Sequence, residues 1–297
     1  MNTALETPLA YCREKVCADT SSLHYAVLFQ PDELKAFWLG CFTLNQELRQ
    51  ACMKQLEAGL TQVKLGWWRN ALTGAQGNTN LHPVIKALHR EVVAKVNPDQ
   101  WAALIESVAQ GCEPNRHNSQ EDWKRAVQNE IRPWLALIQA RIEHPAPALN
   151  GLFDATDKET LSNGLESLST FWTHSTQLCQ LLRMAKYLDE GFQPLPVQAL
   201  AQANIPAEQL RKREHTEATS ALFKHTAELL ISQANTAWRA TPKPLRLFAR
   251  PLRALYRMKV AEWRLHDQSQ YRLLTEQKVV TPLKKFALSW STQVLRR

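Results

Sequence analysis

The chain has 36 Lys and Arg residues against 28 Asp and Glu residues, so basic side chains dominate its charge. Four of them can bind phosphate oxygens: Arg49, Lys64, Arg69 and Arg183. Arginine binds phosphate bidentately, and a surface salt bridge is the alternative role for each of the four. Glu47 is a single carboxylate, and Asp189 and Glu190 are adjacent, so they cannot share one helix face to hold a metal ion. The residue types therefore favour anion binding over metal-dependent chemistry.

The motifs of several common enzyme classes are absent from the sequence. No Gly-x-Ser-x-Gly, P-loop or dinucleotide-binding glycine string occurs, which argues against a hydrolase, a kinase and a dehydrogenase. The histidines form no His-x-x-x-His or Glu-x-x-His pair that would bind a metal ion on a helix. The 6 cysteines are scattered without metal-type spacing, and free thiols in a reducing cytosol are the simplest interpretation.

The elements that hold these residues are predicted to be helices almost throughout. Glycine is scarce at 9 residues, no alternation of apolar and polar residues reaches strand length, and apolar residues recur at helical spacing. No run of about 18 apolar residues predicts a membrane-spanning helix, and no signal-peptide pattern opens the chain. The sequence therefore predicts an all-α, cytoplasmic protein with a flexible tail over residues 1–10 and one domain over residues 11–297.

Proline and capping residues set the predicted helix boundaries. The main predicted helices cover residues 31–60, 82–96, 99–111, 119–143, 156–188, 215–239 and 244–266, and a last helix begins near Pro282. Ser119 and Asp122 resemble a capping box at the start of the fourth of these helices. No linker between the helices is long enough to require a second domain.

The C-terminal part of the chain is strongly basic. Residues 241–297 carry 13 Lys and Arg residues against 3 acidic residues, a local charge of +10. Four arginines lie opposite the apolar residues of the predicted helix 244–266: Arg246, Arg250, Arg253 and Arg257. Such a helix suits peripheral contact with an anionic inner-membrane surface or with an acidic protein partner, and a solvated helix with its apolar face in the core is the alternative. Nucleic-acid binding would rest on charge alone and is not favoured.

Several strings in the chain resemble motifs of one enzyme family, in the same order. Residues 177–183 read Gln-Leu-Cys-Gln-Leu-Leu-Arg, which is similar to the Gln-Leu-x-Asn-x-x-Arg-Asp-x-x-x-Asp segment of the squalene/phytoene synthases. Ser21 and Ser22 resemble the start of that family's Ser-Ser-Phe-x-x-Ala motif, and residues 65–69 resemble its Leu-x-x-Trp-Arg helix. The resemblance covers residues 11–285 and implies an isoprenoid-synthase-type, single-domain helical bundle around a central cavity. It also implies that segments 42–54 and 173–188 face each other across that cavity.

The aspartates of that family are missing from this chain. The two carboxylate positions of the second motif are Met184 and Leu188, and those of the first motif are Arg49, Gln50 and Met53. In the family, paired aspartates hold Mg²⁺ ions that stabilise a departing diphosphate. The side chains found here supply no hard oxygen anion. The resemblance therefore implies no catalytic residue, no metal site and no cofactor, with Mg²⁺ required only if the chain is an enzyme.

One subgroup of the family fits the sequence better than the active enzymes. Asn45-x-Glu47-Leu48 followed by Trp-Trp-Arg is similar to bacterial proteins of this superfamily and to the mitochondrial complex I assembly factor 6, which also lack the acidic motifs. The resemblance implies a non-catalytic protein that binds an isoprenoid, a prenyl diphosphate or a protein partner, for example in membrane-complex assembly. An active head-to-head prenyltransferase is the alternative. The residues implied to line the cavity are Ser21, Ser22, Tyr25, Arg49, Lys64, Trp68, Arg69, Gln177, Gln180 and Arg183.

Overall fold

Helices make up the regular structure of this protein. The computed structural model describes residues 7–18, 20–52, 58–74, 81–113, 116–144, 151–153, 156–267 and 270–294. Over these residues the chain forms α-helices and no β-strand, and Arg116 and Gln193 form an isolated bridge. The predicted all-α fold is confirmed. No helix within the same residues is long and apolar enough to cross a membrane.

The chain divides into two compact units, of which unit 1 contains Met1–Glu113, Arg132–Asp157 and Ser289–Arg297. Its helices are α1 (Pro8–Val16), α2 (Ser22–Val27), α3 (Asp32–Ala51), α4 (Ala58–Thr73), α5 (Pro83–Ala87), α6 (Arg90–Lys95) and α7 (Pro98–Gln110), and α8 (Gln120–Glu143) contributes residues to both units. Thr7 caps α1, so this helix begins at Pro8, inside the tail predicted for residues 1–10. The single domain over residues 11–297 stays a prediction.

Helix α3 shows how apolar spacing builds the core of unit 1. Its first turn carries Asp32 and Glu33, whose charges suit the positive end of a helix. Apolar side chains at spacings of three and four residues are buried along it: Leu34, Phe37, Trp38, Cys41, Leu44 and Leu48. The helix ends at Ala51, so the predicted single helix over residues 31–60 is wrong, and residues 53–57 lie outside the described part.

Unit 2 contains Pro114–Ile131 and Lys158–Leu288. Its helices are α9 (Lys158–Leu182), α10 (Met184–Asp189), α11 (Val197–Gln202), α12 (Ala207–Arg211), α13 (Glu217–Ala240), α14 (Lys243–Phe248) and α15 (Arg250–His266), and α16 (Pro282–Gln293) contributes to both units. The Phe171 ring of α9 lies 4.7 Å from Trp238 of α13 and 5.3 Å from Tyr256 of α15, measured between centroids. Helix α9 therefore packs against both α13 and α15.

Three further helices that the sequence predicts as continuous are interrupted. The predicted helix 82–96 divides into α5 and α6 at His89, whose positive φ of 65° is incompatible with a continuous helix. The predicted helix 244–266 divides into α14 and α15 at Ala249, because Pro251 has no N–H to continue α14 and is favoured near a helix start. The predicted helix 156–188 divides into α9 and α10 at Arg183, whose N–H is shared between the carbonyls of Cys179 and Gln180.

The last turns of α16 form hydrogen bonds with the α2 region in unit 1. Ser289 Oγ donates a hydrogen bond to the Tyr25 carbonyl, and Gln293 Nε2 donates to the Ala26 carbonyl at 2.7 Å. The Gln293 side-chain oxygen also accepts a hydrogen bond from Gln30 Nε2. Helix α2 is therefore held by residues that follow it by more than 260 positions.

Candidate ligand-binding site

A stripe of uncharged polar side chains runs along one face of α9. Ser169, Thr173 and Gln177 are spaced four residues apart, and all three are fully buried. Residues four apart lie on the same face of a helix. Each residue advances about 100° around the helix, so Thr173 lies roughly 160° from Phe171, the residue that packs against α13 and α15. We call Ser169, Thr173 and Gln177 the α9 polar stripe.

One polar atom on each residue of this stripe has no hydrogen-bond partner within the described protein. Ser169 Oγ, Thr173 Oγ1 and Gln177 Nε2 are buried and have no hydrogen-bond partner there. A buried polar group without a partner costs about 1–3 kcal/mol, so native proteins usually supply water or another partner. Two hydroxyls and one amide NH₂ group are thus available to donate hydrogen bonds along one helix face.

Two polar neighbours of the stripe, His174 and Gln180, are also uncharged. His174 Nδ1 and Gln177 Oε1 lie 3.0 Å apart. Burial lowers the pKa of His174, although its bond to Gln177 opposes this, so the imidazole is neutral at pH 7. One turn further along, Gln180 Oε1 accepts a hydrogen bond from the Trp123 indole at 2.7 Å. The stripe and these two neighbours are therefore polar and neutral, and the positive charge of Lys124 also lowers the pKa of His174.

The residues at the family's metal positions do not fit Mg²⁺. Met184 is fully buried in unit 2, and Leu188 is half-buried. In unit 1, Arg49 and Gln50 lie half-buried in the last turn of α3, and Met53 falls outside the described residues. Mg²⁺ prefers carboxylate and water oxygens in octahedral geometry, which a thioether, an alkyl group and a guanidinium cannot supply. Nowhere in the described ranges do three His, Cys, Asp or Glu side chains cluster so that they could hold a metal ion.

The predicted residues of α2 have structural roles in unit 1. Ser21 Oγ accepts the His24 N–H at 3.1 Å and so caps α2. Ser22 is the half-buried first residue of that helix. The half-buried Tyr25 ring packs edge to face against His24 at 5.2 Å. Ser21 therefore acts as a helix cap, and a ligand-binding role for the three residues stays a prediction.

The predicted residues of α4 divide between core and surface. Lys64 and Arg69 are exposed, whereas Trp68 is buried. The Trp68 ring centroid lies 4.9 Å from that of His82, which also packs against Trp67 at 5.7 Å. His82 caps α5 through its Nδ1, which accepts the Val84 N–H. Trp68 is thus part of an aromatic cluster.

The arginines of the basic segment make contacts inside unit 2. The Arg253 guanidinium carbon lies 5.8 Å from the Phe171 centroid, 5.4 Å from Trp238 and 4.8 Å from Tyr256, and its Nη1 donates to Asn235 at 3.0 Å. We call these four partners of Arg253 the arginine cage. Arg257 Nη1 donates to the Leu288 carbonyl at 3.2 Å. All four predicted arginines, Arg246, Arg250, Arg253 and Arg257, are half-buried, so this side of α14 and α15 is not a fully solvated face.

Sequence reasoning found one end of the α9 polar stripe and missed the other. Gln177 and Gln180 were predicted from the family motif, and Arg183 is an exposed residue at the break between α9 and α10. Ser169 and Thr173 were missed, because a hydroxyl on a helix is usually solvated. The available signal was their four-residue spacing from Gln177.

Comparison with known proteins establishes the fold. No protein-family model matches the sequence, and no curated protein matches it significantly. The squalene synthase HpnC from Alicyclobacillus acidocaldarius aligns with a TM-score of 0.66 over 89% of this chain and 94% of that structure, at 15% identity. A dehydrosqualene synthase in complex with ligand aligns with a TM-score of 0.73 over 96% of this chain and 95% of that structure, at 12% identity. This chain therefore has the all-α fold of a squalene synthase and of a dehydrosqualene synthase, as its motifs implied.

Proposed function

We propose that this chain is a squalene/phytoene synthase-like protein that binds an isoprenoid and does not ionise it. The observation that carries the proposal is the α9 polar stripe, which presents three buried groups without partners in the described protein. The stripe leads directly into the motif at residues 177–183 that resembles the family's second aspartate motif. A ligand at this helix face would satisfy the unpaired donors.

The chemistry of the stripe favours an uncharged isoprenoid over a prenyl diphosphate. A diphosphate needs several positive charges or metal ions in its binding site. The stripe offers two hydroxyls, an amide and a neutral His174 instead, and the adjoining metal position is the buried Met184. One or two acceptor oxygens, as in a prenyl alcohol or a quinone, match these donors. An active prenyltransferase stays the alternative.

The test measures bound lipid, direct binding and turnover on the purified protein. We expect mass spectrometry of an organic extract to find an uncharged isoprenoid, and farnesol to bind more tightly than farnesyl diphosphate with or without Mg²⁺. Gln177→Leu and Thr173→Val should weaken farnesol binding about tenfold each, since each removes one buried hydrogen bond. Thr236→Val on the exposed face of α13 is the matched control and should change nothing. Formation of a head-to-head product from farnesyl diphosphate and Mg²⁺ would instead establish the prenyltransferase.

A second proposed role is peripheral attachment to an anionic membrane through α16. Leu283 is 78% exposed, Phe286 42% and Trp290 40%, and their spacing of three and four residues places them on one face of the helix. Leu, Phe and Trp on one face with lysines nearby are typical of helices that lie in the membrane interface. The local charge of +10 over residues 241–297 supports an anionic surface. Membrane attachment would bring the protein to a membrane-complex partner.

Liposome flotation tests this second role. We expect recovery on anionic liposomes, less on neutral ones, and a loss with rising salt because exposed charges are screened. Leu283→Ser combined with Trp290→Ser should abolish flotation, whereas Val63→Ser, at a position on α4 that is 68% exposed, should not. Equal flotation of the double variant and wild type would rule out α16 as the attachment surface.

A further inference from the structure

A separate pocket lies in unit 1, among α1, α2 and α3. Its volume is about 390 Å³, which is within the range of small-molecule sites. The described residues that line it come from these three helices and their ends: Arg13, Cys17, His24, Val27, Leu28, Lys35 and Leu39. We call it the unit 1 pocket. His24 occupies a variable position of the segment that resembles the family's Ser-Ser-Phe-x-x-Ala motif, and none of the lining residues belongs to the α9 polar stripe.

The three helices line this pocket in the same way. Each supplies a basic residue and, four positions later, a cysteine or a leucine: Arg13 with Cys17, His24 with Leu28, and Lys35 with Leu39. Side chains four apart lie on one face of a helix, so each pair points to the same side. Leu39 is fully buried and Val27 nearly so, whereas Arg13 is exposed. The pocket thus combines an apolar wall with basic groups that reach solvent.

The charge of the unit 1 pocket is positive. Lys35 Nζ lies 3.0 Å from Asp32, whose side chain is 87% exposed, so this ion pair is screened by solvent. The Lys35 hydrogen bond and the charges of Lys35 and Arg13 lower the pKa of Asp32, so this carboxylate interacts with both cations of the pocket. Burial raises the pKa of the Cys17 thiol to about 11, so it is uncharged at pH 7. The described lining residues include no carboxylate. Arg13 and Lys35 therefore give the pocket two cations against the single exposed carboxylate of Asp32, with which a bound anion would compete.

We propose that the unit 1 pocket binds a single-chain amphiphile with an anionic headgroup, either a carboxylate or a phosphate monoester. Arg13 and Lys35 contact the headgroup, and Val27, Leu28 and Leu39 contact the hydrocarbon chain. The apolar wall alone would accept an uncharged chain, and the basic residues alone would accept inorganic phosphate. Only an amphiphile uses both parts of the pocket.

Titration calorimetry on the full chain tests this proposal with four probes. Decanoate and decyl phosphate carry both parts of the ligand, decanol lacks the charge, and inorganic phosphate lacks the chain. We expect saturable binding of one molecule of decanoate or decyl phosphate per protein, and the tighter of the two identifies the headgroup. Decanol and inorganic phosphate should each bind at least about tenfold more weakly, because each loses one class of contact.

Variants connect the binding to the pocket. Arg13→Gln and Lys35→Met should each weaken decanoate binding about tenfold, whereas Lys95→Met, a lysine exposed on α6, should have no effect. Gln177→Leu should leave decanoate binding unchanged, which separates this pocket from the proposed isoprenoid site. Arg13 is exposed, so its variant decides the question even if Lys35→Met unfolds the protein. Equal binding of decanoate and decanol, no binding of either anionic amphiphile, or equal losses in Lys95→Met and Arg13→Gln would overturn the proposal.

Discussion

Removing the guanidinium from the arginine cage should destabilise unit 2. In Arg253→Gln, the planar cation that lies over the rings of Phe171, Trp238 and Tyr256 is lost, as is its hydrogen bond to Asn235. A half-buried cation–π contact contributes about 0.5–1 kcal/mol, and the hydrogen bond contributes about 1 kcal/mol. Because the contacts share one side chain they are not additive, and we expect a total loss of about 2–3 kcal/mol.

Thermal unfolding followed by tryptophan fluorescence measures this loss, since Trp238 is part of the cage. For a domain of this size, 1 kcal/mol corresponds to roughly 2–4 °C, so the midpoint should fall by about 5–10 °C. Arg253→Lys keeps the charge but not the planar stacking and should recover about half of the loss. Arg239→Gln, at an exposed position on α13, is the matched control and should shift the midpoint by less than about 2 °C.

A midpoint for Arg253→Gln equal to that of the control would refute this reasoning. The outcome also affects how the membrane role is tested. A variant that changes Arg246, Arg250, Arg253 and Arg257 together would lose structure as well as charge, because Arg253 and Arg257 make contacts inside unit 2. A loss of liposome binding in that variant would then reflect unfolding. Substitutions in α16 avoid this problem.

Three further perturbations have defined outcomes. Thr173→Val should stabilise the ligand-free protein to urea by about 1 kcal/mol or more, since it removes a buried hydroxyl that has no partner in the described protein; a loss of stability would show that the hydroxyl is satisfied. Gly164→Ala should lower the unfolding free energy by about 1–3 kcal/mol, because a Cβ there would lie 2.6 Å from Leu245 Cδ1, and unchanged stability would show that α14 yields easily. Burial lowers the pKa of His82 and His174 in the folded protein. The stability that their neutral forms contribute is therefore present above the unfolded pKa of about 6.5 and is lost as the pH falls toward the lowered folded values. The thermal midpoint should be lower at pH 5.5 than at pH 7.5, and this difference should be smaller in His174→Gln.

Local sequence signals predicted where helices form better than where they end. The apolar spacing of α3 and the proline near the start of α16 gave correct helices, because each pattern depends on a few neighbouring residues. The break at Ala249 was missed although Pro251 marks it, because an apolar repeat continues across the break. The end of α3 at Ala51 has no proline or glycine to mark it.

Local sequence patterns could not predict the contacts of the arginine cage or the burial of the α9 polar stripe. Helical periodicity places Arg253 at an angle around its helix, but it cannot say that Trp238 and Phe171 from other helices cover that angle. The same holds for Ser169 and Thr173, whose hydroxyls become informative only once they are known to be buried. The family motif did identify Gln177, because it encodes a position in a fold rather than a local preference. Whether segments 42–54 and 173–188 face each other stays a prediction.

The hydrogen bonds from Ser289 and Gln293 to the α2 region can form only after these late residues have been synthesised. Ribosomes add about 5–20 residues per second, so roughly 15–50 s separate the synthesis of Ala26 from that of Gln293. During that interval the carbonyls of Tyr25 and Ala26 have no Ser289 or Gln293 to bind, while all residues of unit 2 up to Leu288 are made first. A chain that stops before Ser289 would carry every residue of unit 2 beside an incomplete unit 1. Cellular quality control would therefore encounter nascent chains in which the α2 region, although synthesised early, still lacks these hydrogen bonds.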